Sequence, residues 1–207
     1  MKRKSVRIGI IIGVALLFLT FAAGGGYAGR HLYIKNIGIH IYPQKDCVPY
    51  DVAHYLQNDA AWKNESIGYS SYSMGGSGCL ISSAATSMEA LGISITPKEL
   101  NDRLTAVDGY EGADLLWYKI SEAVPGVQYR YSRFFSGKTI DSDLAAGFLP
   151  IVEVSYYKTG VKHWVLIIGA KNGEYLISDP LNPEKAPMPL STHGKVYAYR
   201  VLYLEED

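Results

Sequence analysis

Only two cysteines, Cys47 and Cys79, occur in 207 residues. They can form one bridge at most, so no disulfide framework holds this fold. Net charge is also missing, since 20 lysines and arginines balance 20 aspartates and glutamates. Four of those cations sit in the first seven residues, so the other 200 carry 16 cations against 20 acids, a net charge of −4. A mildly acidic remainder lacks the basic face that nucleic-acid binding requires. There is no internal repeat, no low-complexity tract and no second domain boundary. Phenylalanine is scarce, with five against 17 tyrosines, which predicts many half-buried positions with a polar tip. No spacing of His, Cys and carboxylates marks a zinc site. Gly137-Lys138-Thr139 lacks the upstream glycine of a phosphate-binding loop. No metal or other cofactor is therefore expected.

What long apolar run there is lies at the N-terminus. Lys2, Arg3, Lys4 and Arg7 precede Ile8–Ala23, 16 uncharged and mostly apolar residues, and no charge follows until Arg30. That run is short for a bilayer span of about 20 residues, although Gly24 to Gly29 extend it. A signal peptide cleaved near Ala22-Ala23-Gly24 is one reading. A retained signal anchor with its basic end in the cytoplasm is the other. The glycine-heavy run without a clear Ala-x-Ala favours the anchor. Either reading puts the rest outside the cytoplasm. Residues 1–29 are then the targeting segment, 30–46 an extracytoplasmic connector and 47–207 one domain large enough for a sizeable core.

Within that domain the first half reads as helical and the second as strands. Val48 to about Trp62 suggests an extended entry and a short helix, and Lys63 to Gly78 a polar loop. Cys79 to Leu91 reads as a helix stopped by Gly92. Thr96-Pro97-Lys98-Glu99 has the residues of a capping box with proline in the first turn, opening a helix to about Leu104. Ala113 to Val124 and Thr139 to Ala146 are further expected helices. Strands are expected at Gln128–Phe134, Pro150–Tyr157, Lys162–Ala170, Glu174–Ser178 and Lys195–Tyr203. Asn172-Gly173 marks a hairpin between two of them. Helices first and an antiparallel sheet second imply an α+β fold.

The sharpest local signal is Met74-Gly75-Gly76-Ser77-Gly78-Cys79, a glycine-rich loop running into a helix. A thiol at a helix N-terminus lies near the positive end of the macrodipole, which favours the nucleophilic thiolate. Its own N–H, in the unpaired first turn, can face a developing oxyanion. A cysteine nucleophile also needs a base and a group that orients the base. His163 enters an apolar strand, and Asp179 follows 16 residues later, just past the partner strand. Pairing across Asn172-Gly173 brings the two to roughly the same strand end. Singly, each has a bland reading: a small buried helix residue, a satisfied core histidine, and a turn residue before Pro180. His31, His40, His54 and His193 sit in no motif and read as surface or linker residues. Cys47 reads as a buried inert thiol on a short strand, or as the disulfide partner of Cys79.

Val48-Pro49-Tyr50, Gln57-Asn58-Asp59 with Trp62, Gly78-Cys79, Thr96-Pro97 and the stretch from His163-Trp164-Val165 to Asp179-Pro180 form a recurring pattern. In these the sequence resembles the C39-like peptidase family over about residues 47–204. These are papain-like cysteine peptidases related to bacteriocin-leader peptidases. The resemblance implies a papain-like fold, with N-terminal helices packed on the sheet. It implies Cys79 as nucleophile, His163 as base, Asp179 as orienter and Gln57 as side-chain oxyanion donor. The implied partner is a peptide or protein substrate, at a membrane reached through the N-terminal helix. Leu80-Ile81-Ser82 departs from the family, which usually has Gly-Pro-Thr or Gly-Ala-Ala after the cysteine. That departure keeps an inert papain-like binding module open as the alternative. Amide hydrolysis or transglutamination on the same triad is a third reading. The Asp-Cys-Ser-Gly of NlpC/P60 cell-wall peptidases does not match.

Overall fold

The computed structural model describes residues 25–205. The basic start and the apolar run Ile8–Ala23, with the expected membrane helix, lie outside them. Among the described residues no helix is long and apolar enough to cross a membrane. Residues 25–37 are helical (α1) and dock on the domain through buried Ile34 and through Tyr27 and Arg30 against the Phe134 ring. Ile41 is also buried, and the Ile39 N–H donates to the Val196 carbonyl. Much of the expected connector is thus part of the packed structure. Ile34 and Ile41 leave water almost entirely and Ile39 in part, which favours docking of the segment.

Two helices follow in tandem, α2 (Met74–Ser77) and α3 (Cys79–Ala90), joined at Gly78. Next comes α4 (Pro97–Ala106), opened by a complete Thr96/Glu99 capping box. A small hairpin, β1 (Tyr110–Glu111) and β2 (Asp114–Leu115), leads to a 3-10 turn and α5 (Ile120–Ala123). The sequence suggests one helix over Ala113–Val124. Gly112, at φ +64°, instead turns the chain so that Tyr110 and Leu115 pair. The short helix expected before Trp62 is also absent. Residues 48–56 are irregular, with His54 at φ +46°, and 57–65 are mostly turns.

The second half builds a six-stranded sheet. Its strands are β3 (Val127–Tyr131), β4 (Pro150–Ser155), β5 (Lys162–Lys171), β6 (Glu174–Ser178), β7 (Met188–Pro189) and β8 (Val196–Leu204). One helix, α6 (Gly137–Ala145), sits between β3 and β4 in the chain. The spatial order is β3-β8-β4-β5-β6-β7, with every neighbour antiparallel. The fold is α+β, as the order of elements implied. Asn172 and Gly173 both have positive φ, at +56° and +76°, the geometry a two-residue hairpin demands.

Helix α3 lies across β5 and is buried on nearly every side. Its run Ser82–Ser87 consists of small residues, which lets the helix approach the sheet closely. Ile81 and Met88 fill the core, each contributing roughly 1.5–3 kcal/mol by leaving water. The Ser83 hydroxyl donates to the Trp164 carbonyl on β5, which fixes the helix along the strand.

Candidate active site

Cys79 opens α3 because the chain passes tightly over the end of α2 at Gly78, whose N–H donates to the Met74 carbonyl at 2.8 Å. A Cβ at Gly78 would stand 2.4 Å from the Met74 carbonyl oxygen. The glycine is required by this close approach of α2, since its φ of −82° is open to any residue. Cys79 is the first residue of α3, where a backbone N–H has no acceptor within its own helix. Cys79 is half-buried and looks into a cleft of about 740 Å³ that Gln57, Leu80, Glu111, Asp114 and His163 also line. Leu80 shapes this cleft, whereas Ile81 points into the core at 2 % exposure, so only one of the two bulky residues faces the opening.

His163 comes from β5, where it pairs with Val154 of β4. Asp179 follows β6 directly. The β5–β6 ladder runs in step from Lys171/Glu174 to Gly169/Leu176, then Ile168 is left over and Ile167 faces Ile177. This bulge decides the site. Extended one residue past Leu166/Ser178, the register sets Asp179 opposite Val165, on the His163 face. Without the extra residue Asp179 would oppose Leu166 and point to the other face. As it is, His163 Nε2 meets Asp179 Oδ1 at 2.6 Å, with both side chains buried. An ionised carboxylate only accepts, so Nε2 carries the proton and Nδ1 is left for Cys79.

Asp179 is held from three sides. Oδ1 also accepts from the Leu181 N–H at 2.8 Å, and Oδ2 accepts from His193 Nε2 at 3.0 Å. Burial alone raises the Asp179 pKa, but the hydrogen bonds from His163 and His193 and the His163 charge hold the carboxyl well below its usual range. Burial likewise depresses the His163 pKa. The hydrogen bond to Asp179 and the nearby Cys79 sulfur outweigh it and raise the imidazole to about 9. His163 is thus a strong proton holder beside a thiol.

Gln57 is 3 % exposed, on turns rather than the expected helix. Its N–H donates to the Pro180 carbonyl at 2.9 Å, and its Nε2 donates to the Gly75 carbonyl at 2.9 Å. Gln57 is therefore pinned by its backbone to the turn after Asp179 and by its side-chain amide to α2, and it lines the cleft. The structure brings all four sequence-derived residues to one place.

His193, read from the sequence as a surface or linker residue, is wholly buried beside them. No motif flags it. It arrives with the segment before β8, whose pairing with β4 is a long-range contact. His54 is also not a free surface residue, since its Nδ1 lies 2.8 Å from the Ser178 hydroxyl. His163, Asp179 and His193 form a group whose ligand-type atoms all lie within 4.8 Å of one another. Both imidazoles already direct N–H groups at Asp179, so a metal ion would have to displace those protons. The trio is a closed hydrogen-bond network.

Cys47 and Cys79 are both free. Cys47 is half-exposed and bonded to Ala170 through N–H and C=O, at the far end of β5 from His163. Seven residues of strand separate His163 from Ala170, about 23 Å at the usual rise. A bridge between Cys47 and the thiol beside His163 is therefore out of reach, which removes the disulfide alternative.

A sequence profile of the Peptidase_C39 like family matches residues 49–201. Among solved structures, a candidate C39-like peptidase from Bacillus anthracis is similar, with a TM-score of 0.47 at 12% identity, covering 63% of this chain and 90% of that one. No curated protein sequence matches.

Proposed function

This chain belongs to the Peptidase_C39 like family, and from that premise we propose that it is an extracytoplasmic cysteine peptidase anchored by its N-terminal segment. His163 takes the Cys79 proton, and the thiolate attacks a peptide carbonyl. The oxyanion is received by the Cys79 N–H, in the first turn of α3, with the Gln57 amide beside it. Asp179 keeps the imidazole turned toward the sulfur. His163 then protonates the leaving amine, and water releases the acyl-enzyme. The anchoring and location rest on the cations and apolar run of residues 2–23.

The observation that carries the reading is the buried 2.6 Å contact between Asp179 and His163, which lines the same cleft as Cys79. A core histidine with a structural role needs no such cleft. The test is a peptide library incubated with wild type and Cys79→Ala, with products read by mass spectrometry. New amino termini formed by wild type alone support hydrolysis. Cleavage that persists in Cys79→Ala contradicts it, and amine-exchanged products without cleavage point to transamidation.

A further inference from the structure

We infer that His193 is a positioning residue for this site: it holds the second oxygen of Asp179 and ties that carboxylate to the connection between β4 and β5. The inference rests on the peptidase reading above. His193 follows a 3-10 turn, Leu190–Thr192, and has no exposure. Its Nδ1 accepts from the Tyr157 N–H at 3.0 Å. A nitrogen that accepts an N–H bears no proton, so the ring proton sits on Nε2. From there it can only donate to Asp179 Oδ2, 3.0 Å away. The ring is thereby locked as a neutral donor, which leaves the positive charge of the pair to His163, 5.7 Å away between ring centres.

The far anchor is unusual. Tyr157 and Lys158 are consecutive non-glycine residues with positive φ, at +42° and +64°. Such backbone is disfavoured and persists only where surroundings hold it. The His193 contact is one hold, and the Gly160 N–H to the Ser155 hydroxyl at 2.7 Å is another. The neighbouring Tyr156 lines the cleft, stacks on His193 at 5.6 Å and meets the His163 ring edge-on at 5.2 Å. One buried imidazole thus sets both the carboxylate behind the base and the aromatic wall beside it. Without it, Oδ2 of a fully buried carboxylate loses its donor, and Asp179 is free to turn away from His163.

The experiment combines imidazole nitrogen NMR on wild type with kinetics of His193→Phe and His193→Gln. Wild type should show His193 as the neutral Nε2–H form. The Phe variant should lower kcat about tenfold to a hundredfold with KM little changed, and the His163 titration midpoint should fall from about 9. The Gln variant, whose amide nitrogen reaches the place of Nε2, should recover most of both. An Nδ1–H tautomer in wild type overturns the inference, as does a folded Phe variant with wild-type kcat and His163 midpoint. If the Phe variant does not fold, the tautomer and the Gln variant decide. An inactive wild type refutes the peptidase reading instead, and the His163 midpoint still decides whether His193 positions Asp179.

Discussion

Asp179 reaches His163 only because β5 contains one residue more than its partner strand needs. Ile168 is the unpaired residue, and it shifts the register so that Asp179 shares a face with His163. Asp179→Asn tests what that juxtaposition does. An amide offers one oxygen and one NH2, so it must turn its NH2 toward the N–H of either His163 or His193. The His163 midpoint, about 9 in wild type, should fall toward the ordinary histidine value, and the alkaline limb of kcat/KM should fall with it. An unchanged limb in a folded variant would show that Asp179 does not act on the imidazole.

Stability carries the same signature. The folded pKa of His163, about 9, lies above its unfolded value, so its contribution is complete below the ordinary histidine range and is lost as pH rises through 9. The Asp179 pKa is depressed on folding, so its contribution is present above the ordinary carboxylate range and is lost as pH falls below it. Tm of the protein should therefore peak between those ranges and decline on both sides. Replacing His163 with Gln should flatten the alkaline decline. A decline that survives the replacement would place its origin elsewhere.

Gln57 should matter to turnover more than to binding. Gln57→Ala removes the amide pinned to Gly75 and should lower kcat about 10²- to 10³-fold. A change confined to KM would assign Gln57 to substrate binding.

Gly78→Ala separates the steric role of the glycine from flexibility. The added methyl meets the Met74 carbonyl at 2.4 Å, so the α2–α3 junction must shift. The expected cost is about 1–3 kcal/mol by urea denaturation, with a loss of Cys79 reactivity that Gly76→Ala does not share. At Gly76 the nearest atom to an added Cβ is the Ser73 hydroxyl at 3.3 Å, a side-chain atom that has to yield only a few tenths of an ångström, against a backbone carbonyl at 2.4 Å for Gly78. Equal effects of the two substitutions would contradict the steric account.

Much of this site was legible in the sequence, and the parts that were not have physical reasons. The Cys79 helix, the Thr96 capping box and the Asn172-Gly173 turn are set by local rules, and the structure has them within a residue or two. The segment Ala113–Val124 misleads because helix-compatible apolar spacing at Leu116, Ile120 and Ala123 competes with a glycine turn that the hairpin pairing favours. The bulge at Ile168 leaves no mark, since residues 165–168 are uniformly apolar and show no alternation from which register can be read. His193 is invisible for a related reason: a lone histidine before Gly194 becomes part of the site only when β8 pairs with β4.

The most direct test is the alkylation rate of Cys79 by iodoacetamide near neutral pH, followed by peptide mapping so that Cys47 serves as the internal control. Cys79 in the native protein should react much faster than Cys79 in the unfolded chain and faster than Cys47. His163→Ala should remove the excess. A native Cys79 no more reactive than its unfolded counterpart would contradict the claim that His163 and Asp179 activate it.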